Sequence, residues 1–324
     1  MLNLYRIFDI TLASNLSLPE LPTAPAMMLP DCEFRLHPAQ PQNSSHEWFH
    51  EWIVEDEVTP WLSLCRLADA YLLRFPDLAD FIVASDSHLV ECVPAPQTPA
   101  ATISHLFLNQ VMPLTLAQCG RCVLHASAVI GPQGQAWVFA AASGFGKSTL
   151  ATYLAQQGYT LLTDDGVLIT EQDGQLCVVP SYPGVRLWDD SLGALFGPAT
   201  QSENYAHYTS KRRLALQPHG LPYAHRAVPL QCLYFLAEPD AAATAVRLTP
   251  LTPREVFLAL VKHTFQLDIT NQKQLKENFL RFTRLVSVPP AFLLDFPREW
   301  NHLPQVHEAL LRHSREATPH LRSG

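Results

Sequence analysis

The chain has 324 residues, enough for about two domains, and 48% of them are hydrophobic while 16% are charged. This composition can build a buried core and argues against global disorder. The net charge of −8 argues against a nucleic-acid partner, and no apolar run reaches the roughly 18 residues of a membrane span, so no membrane partner is expected. At the N-terminus, "MLNLYRIFDITLAS" carries Arg6 and Asp9 within its apolar stretch. It is typical of a strand rather than a signal peptide, and we expect a cytoplasmic protein.

The first 110 residues are predicted to be rich in β structure. The segment 20–46 holds many prolines and is predicted to be a loop, "YLLRFPDLADFIVASDSHLVECVP" predicts three short strands in a meander, and 103–118 predicts a helix. Seven cysteines, an odd number, suit a reducing compartment. Cys119 and Cys122 have the spacing of a redox or metal pair, but they follow a helix. We interpret them as a helix-to-strand turn.

From Cys122 onward the pattern is that of an α/β domain. "CVLHASAVI" and "AWVFAA" predict two strands joined by the hairpin turn "GPQGQ". A glycine-containing loop, the helix "STLATYLAQQ" and the strand "YTLLTDD" follow, which predicts a βαβ unit whose parallel strands are neighbours. Further along, "LQCLYFLAE" predicts a buried strand and 253–284 predicts helices. The C-terminal "HSREATPHLRSG" is expected to fray, and His207 is expected to be a surface or packing residue.

The loop "AASGFGKST" satisfies the Walker A pattern G-x-x-x-x-G-K-[ST] except that Ala141 stands where the first glycine belongs. Such a loop bends backbone N–H groups around an anion at a helix N-terminus, where the helix dipole also favours negative charge. We predict that Lys147 reaches the β- and γ-phosphates of ATP or a related donor and that Ser148 ligates Mg²⁺. The predicted binding residues are Ser143, Gly144, Phe145, Gly146, Lys147, Ser148 and Thr149. The alternative is a chance string of small residues before a helix.

Two carboxylates, Asp164 and Asp165, end the strand that is predicted to lie beside the loop strand. A phosphate-loop enzyme keeps its Mg²⁺-binding carboxylate at that place. Because consecutive strand residues point to opposite faces, one carboxylate would hold the metal and the other would accept a proton from the attacking hydroxyl. The alternative is a solvated Asp-Asp-Gly turn.

Cationic side chains downstream are candidates for neutralising charge in a phosphoryl-transfer transition state. One lies in "GVRLW" and the others in "SKRRLAL", and the candidates are Arg186, Lys211, Arg212 and Arg213. The alternative for the basic run is a solvated strand entrance.

Four segments together carry a family resemblance: "LHASAV", "ASGFGKSTLA", "LLTDDGVLI" and "PSYPGVRLW". They resemble the HPr kinase/phosphorylase-related serine kinases, and more closely the HPr-kinase-like tailoring kinases found with lasso-peptide biosynthetic genes. The resemblance covers about residues 120–240, and "FDITLASNLSLPEL" near the N-terminus more weakly. It implies a P-loop domain related to phosphoenolpyruvate carboxykinase and Mg²⁺-dependent transfer of a phosphoryl group to a serine hydroxyl.

The resemblance also implies roles for single residues. Asp164 would be the base and Asp165 a ligand of the metal or of water, and these two assignments are interchangeable. His125, which precedes the loop strand as the family's histidine does, would lie near the transferred phosphoryl group. Thr149 stands where HPr kinases have a glutamate, and no HPr-docking domain is recognisable, so reversible action on HPr is not expected.

These patterns predict an α/β protein with a smaller β-rich N-terminal domain over 1–112 and a P-loop, HPr-kinase-like domain over 113–324. The predicted activity is transfer of a phosphoryl group from ATP, with Mg²⁺, to a serine-containing peptide or protein substrate. A kinase of small-molecule hydroxyls and a nucleotide-binding regulator without transfer activity are the alternatives. The choice of ATP, GTP or pyrophosphate as donor stays open, as does assembly into a homo-oligomer.

Overall fold

The structure is a computed structural model that describes residues 2–43, 45–53, 58–198, 200–204, 206 and 208–316. It is a mixed α/β molecule with several sheets. Its first strands are β1 (Asn3–Ile7), β2 (Ile10–Ser14), β3 (Cys32–Leu36), β4 (His50–Trp52), β5 (Leu62–Arg66), β6 (Ala70–Phe75), β7 (Ala79–Ala84) and β8 (Leu89–Pro94). Within the described residues they form one sheet in the order β1-β2-β3-β8-β7-β6-β5-β4.

This first sheet confirms the predicted meander, because β6, β7 and β8 are antiparallel neighbours. Two other expectations were wrong. The N-terminal stretch, predicted as one strand, is the hairpin of β1 and β2, which turns at Phe8 with a φ of 54°. The segment 20–46, predicted as a loop, contains β3, which lies parallel between β2 and β8. Cys32 and Phe34 of β3 are buried, but an alternation over five residues is too short to outweigh the surrounding prolines as a sequence signal.

A long helix connects the first sheet to the rest of the molecule. Helix α1 (Ala100–Leu106) continues through a π-helical stretch, Phe107–Val111, into α2 (Met112–Gln118), which confirms the predicted helix. Phe107 stacks on Phe34 of the sheet with 4.0 Å between ring centroids. The predicted domain boundary after residue 112 falls at the start of α2, inside this continuous helix, and stays a prediction.

The second part of the chain builds the sheet that positions the candidate site. Its strands are β9 (Cys122–Leu124), β10 (Ala126–Ile130), β11 (Ala136–Ala140), β12 (Thr160–Thr163), β13 (Val167–Gln172), β14 (Gln175–Val179), β15 (Gly184–Leu187), β16 (Glu203–Asn204), β17 (Arg212–Ala215), β18 (Val228–Leu236), β19 (Arg247–Pro250) and β20 (Ala291–Asp295). Its helices are α3 (Lys147–Gln156), α4 (Asp189–Phe196), α5 (Pro253–His263), α6 (Gln272–Ser287) and α7 (Leu303–Glu316). The predicted strand near 230–238 and the predicted helices within 253–284 are confirmed.

In the described part of the chain, the order of this sheet is β12-β10-β11-β18-β14-β13-β9, with β20 beside β18 and β19 beside β20. Strand β18 pairs in parallel with both β11 and β20. Their carboxyl ends therefore meet at one edge of the sheet, where loops that follow them converge. Strands β15, β17 and β16 form a separate small sheet.

The prediction that β12 lies beside β11 was wrong. The hairpin of β10 and β11 places β10 along one edge of β11, and β18 takes the other edge, so β12 pairs with β10 instead. Both β11 and β12 are antiparallel to β10, so they run in the same direction, as predicted. The carboxyl end of β12, where Asp164 and Asp165 follow, consequently still reaches the edge at which β11 ends.

The segment "CVLHASAVI" was predicted as one strand, but the structure breaks it at His125. Strand β9 pairs with β13, whereas β10 pairs with β11 and β12. The backbone N–H of His125 donates to the carbonyl of His263 at the end of α5, 2.7 Å away. Because the His125 N–H bonds to α5 and not to a neighbouring strand, the chain can change its strand-pairing partners at His125.

The cysteines and the C-terminal helix complete the described part of the chain. Cys119 follows α2 and Cys122 begins β9, which confirms the turn, and the seven cysteines are free within the described residues. Helix α7 reaches Glu316, so the tail predicted to fray is helical at its start, and its remainder, 317–324, lies outside the described residues, as does His207. No helix in the described part of the chain has the length and apolar character needed to cross a bilayer.

Candidate functional site

The loop between β11 and α3, residues 141–146, is referred to below as the glycine loop. Gly144 and Gly146 have φ values of 83° and 91°, a region that glycine enters without steric cost. Gly146 is the N-cap of α3 and has no side chain to accept a hydrogen bond, so the first amides of the helix are available to a ligand. Ala141 is buried on the strand side of the loop, as expected for a position that tolerates a methyl group.

Not all of the predicted binding residues of this segment line the same cleft. A cleft of about 330 Å³ is lined by Gly144, Gly146, Lys147, Ser148 and Thr149, but not by Ser143 or Phe145. Ser143 is exposed, and Phe145 packs against the core around α3.

Lys147, the first residue of α3, has only 4% of its surface exposed. Its Nζ donates to the carbonyl oxygen of Ala142 at 2.9 Å and to Nε2 of His125 at 3.1 Å. Burial lowers the pKa of Lys147 to about 8, against the opposing attraction of Asp165 and Asp164. The ammonium group is therefore held rigidly at the base of the glycine loop, and it is the form present at neutral pH.

His125 contacts the ammonium of Lys147 and does not line the cleft. Its Nδ1 is 3.1 Å from the carbonyl oxygen of Asp165, and a carbonyl only accepts, so Nδ1 carries the proton. Nε2 then accepts from Lys147. Burial, together with the charge of Lys147, lowers the pKa of His125 to about 4, so the imidazole is neutral. The structure thus brings His125 to the site as a support for Lys147 rather than into the open cleft.

Asp164 is buried, and both of its carboxylate oxygens accept hydrogen bonds from the protein. Ser127 Oγ donates to one oxygen at 2.7 Å, and the backbone N–H of Arg186 donates to the other at 2.9 Å. Burial raises the pKa of Asp164, and the neighbouring charge of Asp165 acts in the same direction. Asp164 therefore ties β10 to β15 beneath the cleft.

Asp165 lines the cleft. Its φ of 62° is unusual for a residue other than glycine, and it turns the side chain away from the direction of Asp164. One carboxylate oxygen lies 2.6 Å from Nη2 of Arg186. Burial alone would raise the pKa of Asp165, but the positive charges of Arg186 and Lys211 outweigh it and hold the pKa well below its usual range.

The predicted cationic residues do not all line the same cleft. Arg186 and Lys211 line the cleft beside the glycine loop, and the ammonium of Lys211 lies 5.1 Å from the ring centre of Trp188. Arg212 does not: its Nε donates to Asp189 at 2.9 Å, and it lines a neighbouring cleft. Consecutive residues of an extended chain point in opposite directions, which separates Arg212 from Lys211, and the predicted role of Arg212 stays a prediction. Arg213 forms ion pairs with Glu20 and Glu203.

Several residues of the cleft were not anticipated from the sequence. They come from the end of β15 and the start of α4, from the loop after β18, and from the segment after β20 up to the first residue of α7, namely Leu187, Trp188, Asp190, Ser191, Pro239, Phe296, Arg298, Glu299, Trp300 and Leu303. No motif marks them, because they reach the glycine loop through packing between segments that are distant in the sequence. Among the described residues, no group of three or more His, Cys, Asp or Glu side chains is arranged to hold a metal ion.

Comparisons with known proteins give a limited result. No family model and no curated protein matches the chain. Among solved structures, the HPr(Ser) kinase/phosphatase from Coxiella burnetii is similar at 15% sequence identity and a TM-score of 0.33, over 62% of this chain and 99% of that chain. A TM-score of this size carries no argument, so the site is interpreted from its own geometry, and the resemblance to HPr-related kinases stays a prediction.

Proposed function

We propose that this protein is a phosphotransferase that binds the polyphosphate of a donor on the glycine loop and transfers a phosphoryl group to a hydroxyl. One observation carries the proposal: the Lys147 ammonium, the Asp165 carboxylate and the Lys211 ammonium line one cleft at the N-terminus of α3. Free backbone amides and a helix dipole supply the anion site, and the lysines supply compensating charge.

The arrangement of charge suits phosphoryl transfer in particular. A loose transition state spreads negative charge over the equatorial oxygens of the transferred group, so catalysis depends on positioning and on fixed positive charge. Arg186 has 4% of its side chain exposed, and its guanidinium is oriented by Asp165 while its backbone is held by Asp164. Such a prearranged cation needs little reorganisation during the reaction.

Mg²⁺ fits the residues present. Ser148 and Asp165 both line the cleft and offer oxygen donors, the ligands that Mg²⁺ prefers. Mg²⁺ usually takes one or two protein ligands and completes its shell with water and substrate phosphates, so a dense cluster of carboxylates is not needed. When bound, the ion would supply charge neutralisation to the donor phosphates, with Ser148 and Asp165 holding it.

The two aspartates receive different roles in this proposal. Asp164 already satisfies both oxygens inside the protein, so it acts as a positioning residue for Arg186. Asp165 is the carboxylate that meets ligands. Asp165 thus keeps the metal-ligand role that the resemblance implies for it, whereas Asp164 is not proposed as the base. The acceptor, a serine of a peptide or protein, and ATP as donor are proposed from the family resemblance.

The experiment is a paired test of binding and transfer. Purified protein is incubated with Mg²⁺, labelled ATP and a panel of serine-containing peptides and small alcohols, and phosphoserine is measured. Lys147→Met should abolish transfer, whereas the control Lys273→Ala, an exposed lysine on α6, should not. Full activity of Lys147→Met would contradict the site. Nucleotide binding without transfer to any acceptor would favour the regulator.

A further inference from the structure

An attacking hydroxyl must give up its proton, and neither aspartate that follows β12 is well placed to take it. Both carboxylate oxygens of Asp164 already accept hydrogen bonds within the protein. The carboxylate of Asp165 forms an ion pair with Arg186. Despite the burial of Asp165, the charges of Arg186 and Lys211 hold its pKa well below the usual range, so it is a poor proton acceptor. The proton acceptor is therefore expected among the other carboxylates of the cleft.

Among the described residues, two other carboxylates line the cleft, Asp190 and Glu299. They belong to different walls: Asp190 is the second residue of α4, whereas Glu299 lies in the segment between β20 and α7. The side chain of Glu299 is 73% exposed, and its carboxylate lies 3.8 Å from Nδ1 of His302. In the described part of the chain, no hydrogen bond connects the Glu299 side chain to the glycine loop or to α3, so its position relative to the donor phosphates is not fixed.

Asp190, in contrast, is connected to the first turn of α3 through Ser191. The hydroxyl of Thr149 donates to Oγ of Ser191 at 3.2 Å. The backbone N–H of Ser191 donates to Oδ1 of Asp190 at 2.7 Å, and the Ser191 hydroxyl lies 3.4 Å from the same oxygen. Ser191 is buried, so this junction between the two helices is a fixed part of the cleft wall. Because Thr149 directly follows Ser148, Asp190 is held beside the part of α3 that would bind the donor phosphates.

The second carboxylate oxygen of Asp190, Oδ2, is available to a ligand. It forms no hydrogen bond or ion pair with any residue that the structure describes, and Asp190 is exposed where it lines the cleft. The adjacent aspartate differs in both respects. Asp189 accepts from Nε of Arg212 at 2.9 Å and lines the neighbouring cleft instead. Of these two consecutive carboxylates at the start of α4, only Asp190 lines the cleft that holds the glycine loop.

We propose that Asp190 accepts the proton of the attacking hydroxyl; this rests on the proposed function of the cleft. The hydroxyl oxygen of the acceptor forms a bond to the γ-phosphorus of the donor. The bond from that phosphorus to the β–γ bridging oxygen breaks, and its electron pair leaves with the diphosphate product. The hydroxyl proton passes to Oδ2 of Asp190. A carboxylate suffices for this step, since an aspartate also accepts the substrate hydroxyl proton in protein kinases.

The test compares the two consecutive aspartates. Transfer from ATP with Mg²⁺ is measured at saturating donor for the wild-type protein, Asp190→Asn, Asp190→Glu and Asp189→Asn. The acceptor is the serine-containing peptide or small alcohol that the wild-type protein modifies fastest. The dissociation constant of ATP and the thermal unfolding of all four proteins are measured in parallel. Asparagine keeps the oxygen that accepts from Ser191 but cannot take up a proton, so Asp190→Asn should fold normally.

We expect Asp190→Asn to lower the transfer rate by roughly 10² or more while the ATP dissociation constant stays nearly unchanged. Asp190→Glu should recover part of the rate, whereas a structural role would favour the isosteric asparagine over glutamate. Asp189→Asn should change the rate less than about fivefold. Equal rates in Asp190→Asn and the wild-type protein, or equal losses in Asp189→Asn and Asp190→Asn, would overturn the role of Asp190 alone. A wild-type protein that fails to bind ATP would overturn the proposed function, and the role of Asp190 with it.

Discussion

Nζ of Lys147 donates to Nε2 of His125 across 3.1 Å, while Nδ1 of the same imidazole donates to the backbone carbonyl of Asp165 at 3.1 Å. A neutral histidine thus links the lysine at the base of the glycine loop to the turn that carries the cleft-lining carboxylate. The tautomer is fixed by the carbonyl, and it leaves the lone pair of Nε2 directed at the ammonium.

His125→Ala should weaken donor binding or transfer by roughly tenfold, because it removes an acceptor from a buried ammonium group. His125→Gln, which offers an amide oxygen, should retain more activity. Single-turnover transfer and thermal unfolding of both variants are the measurements, with the exposed His225→Ala as control. Lost stability with unchanged transfer per folded molecule would make His125 a packing residue only.

The lowered pKa of Lys147 predicts a dependence of donor binding on pH. The folded pKa of about 8 lies below the ordinary lysine value of 10.5, so the ammonium form predominates at neutral pH and is lost as the pH rises through about 8. Donor affinity should fall roughly tenfold between pH 7.5 and 9. Lys147→Arg stays protonated and should give a flat profile over the same range. A wild-type profile as flat as that of Lys147→Arg would contradict the prediction that a Lys147 of lowered pKa contacts the donor.

Substitution of Asp164 and substitution of Asp165 should have different effects on transfer and stability. Asp165→Asn removes the ion pair with Arg186 and should lower transfer by roughly 10² or more and weaken the response to Mg²⁺. It should also lower the free energy of unfolding, because the buried Arg186 loses its charge partner. Asp164→Asn places an amide against two donors, Ser127 Oγ–H and the backbone N–H of Arg186. It should lower the free energy of unfolding by about 1–3 kcal/mol. Transfer assays at several Mg²⁺ concentrations separate the two, and chemical denaturation gives the folded fraction of each variant. Loss of transfer by a fully stable Asp164→Asn would restore Asp164 as the base.

Lys211 and Arg212 are adjacent in sequence but should differ in effect. Lys211 lines the cleft, so Lys211→Ala should lower the transfer rate at least tenfold or so. Arg212 pairs at the surface with Asp189, and its loss should change the rate less than about fivefold. The measurement is the rate at saturating donor. Equal losses in both variants would mean that the basic run acts as a unit.

The local features of the site were readable in the sequence. The glycine loop, α3 and the carboxylates after β12 depend on short-range patterns of glycine, apolar period and strand ends. The predictions about this sheet that were wrong depend on pairing between distant segments. Strand β10 separates β11 from β12, and the single strand predicted over residues 122–130 is interrupted at His125, where the chain changes its pairing partners. Trp300 and Arg298 reach the cleft only because β20 pairs with β18, which no local pattern encodes.

The contact between His105 and Arg186 joins α1 to the candidate site. Nη1 of Arg186 lies 3.4 Å from Nδ1 of His105, and Nδ2 of Asn109, in the π-helical stretch, lies 2.9 Å from the same nitrogen. The hydroxyl of Tyr182 donates to Oδ1 of Asn109 at 2.7 Å. Burial, followed by the charge of Arg186, lowers the pKa of His105 well below its usual value, so the imidazole is neutral and Nδ1 can accept.

His105→Leu should therefore release one side of the Arg186 guanidinium while the ion pair with Asp165 on the other side remains. A guanidinium of Arg186 that is less firmly positioned should lower the transfer rate by roughly tenfold. The donor dissociation constant should stay nearly unchanged, because Lys147 and the glycine loop are not altered. His105→Gln, which keeps an acceptor, should recover part of the rate. Steady-state kinetics with a titrated donor separate the two parameters, and thermal unfolding checks the fold. Equal loss in the leucine and glutamine variants, or a rise in the donor dissociation constant that accounts for the whole effect, would show that α1 does not position Arg186 for transfer.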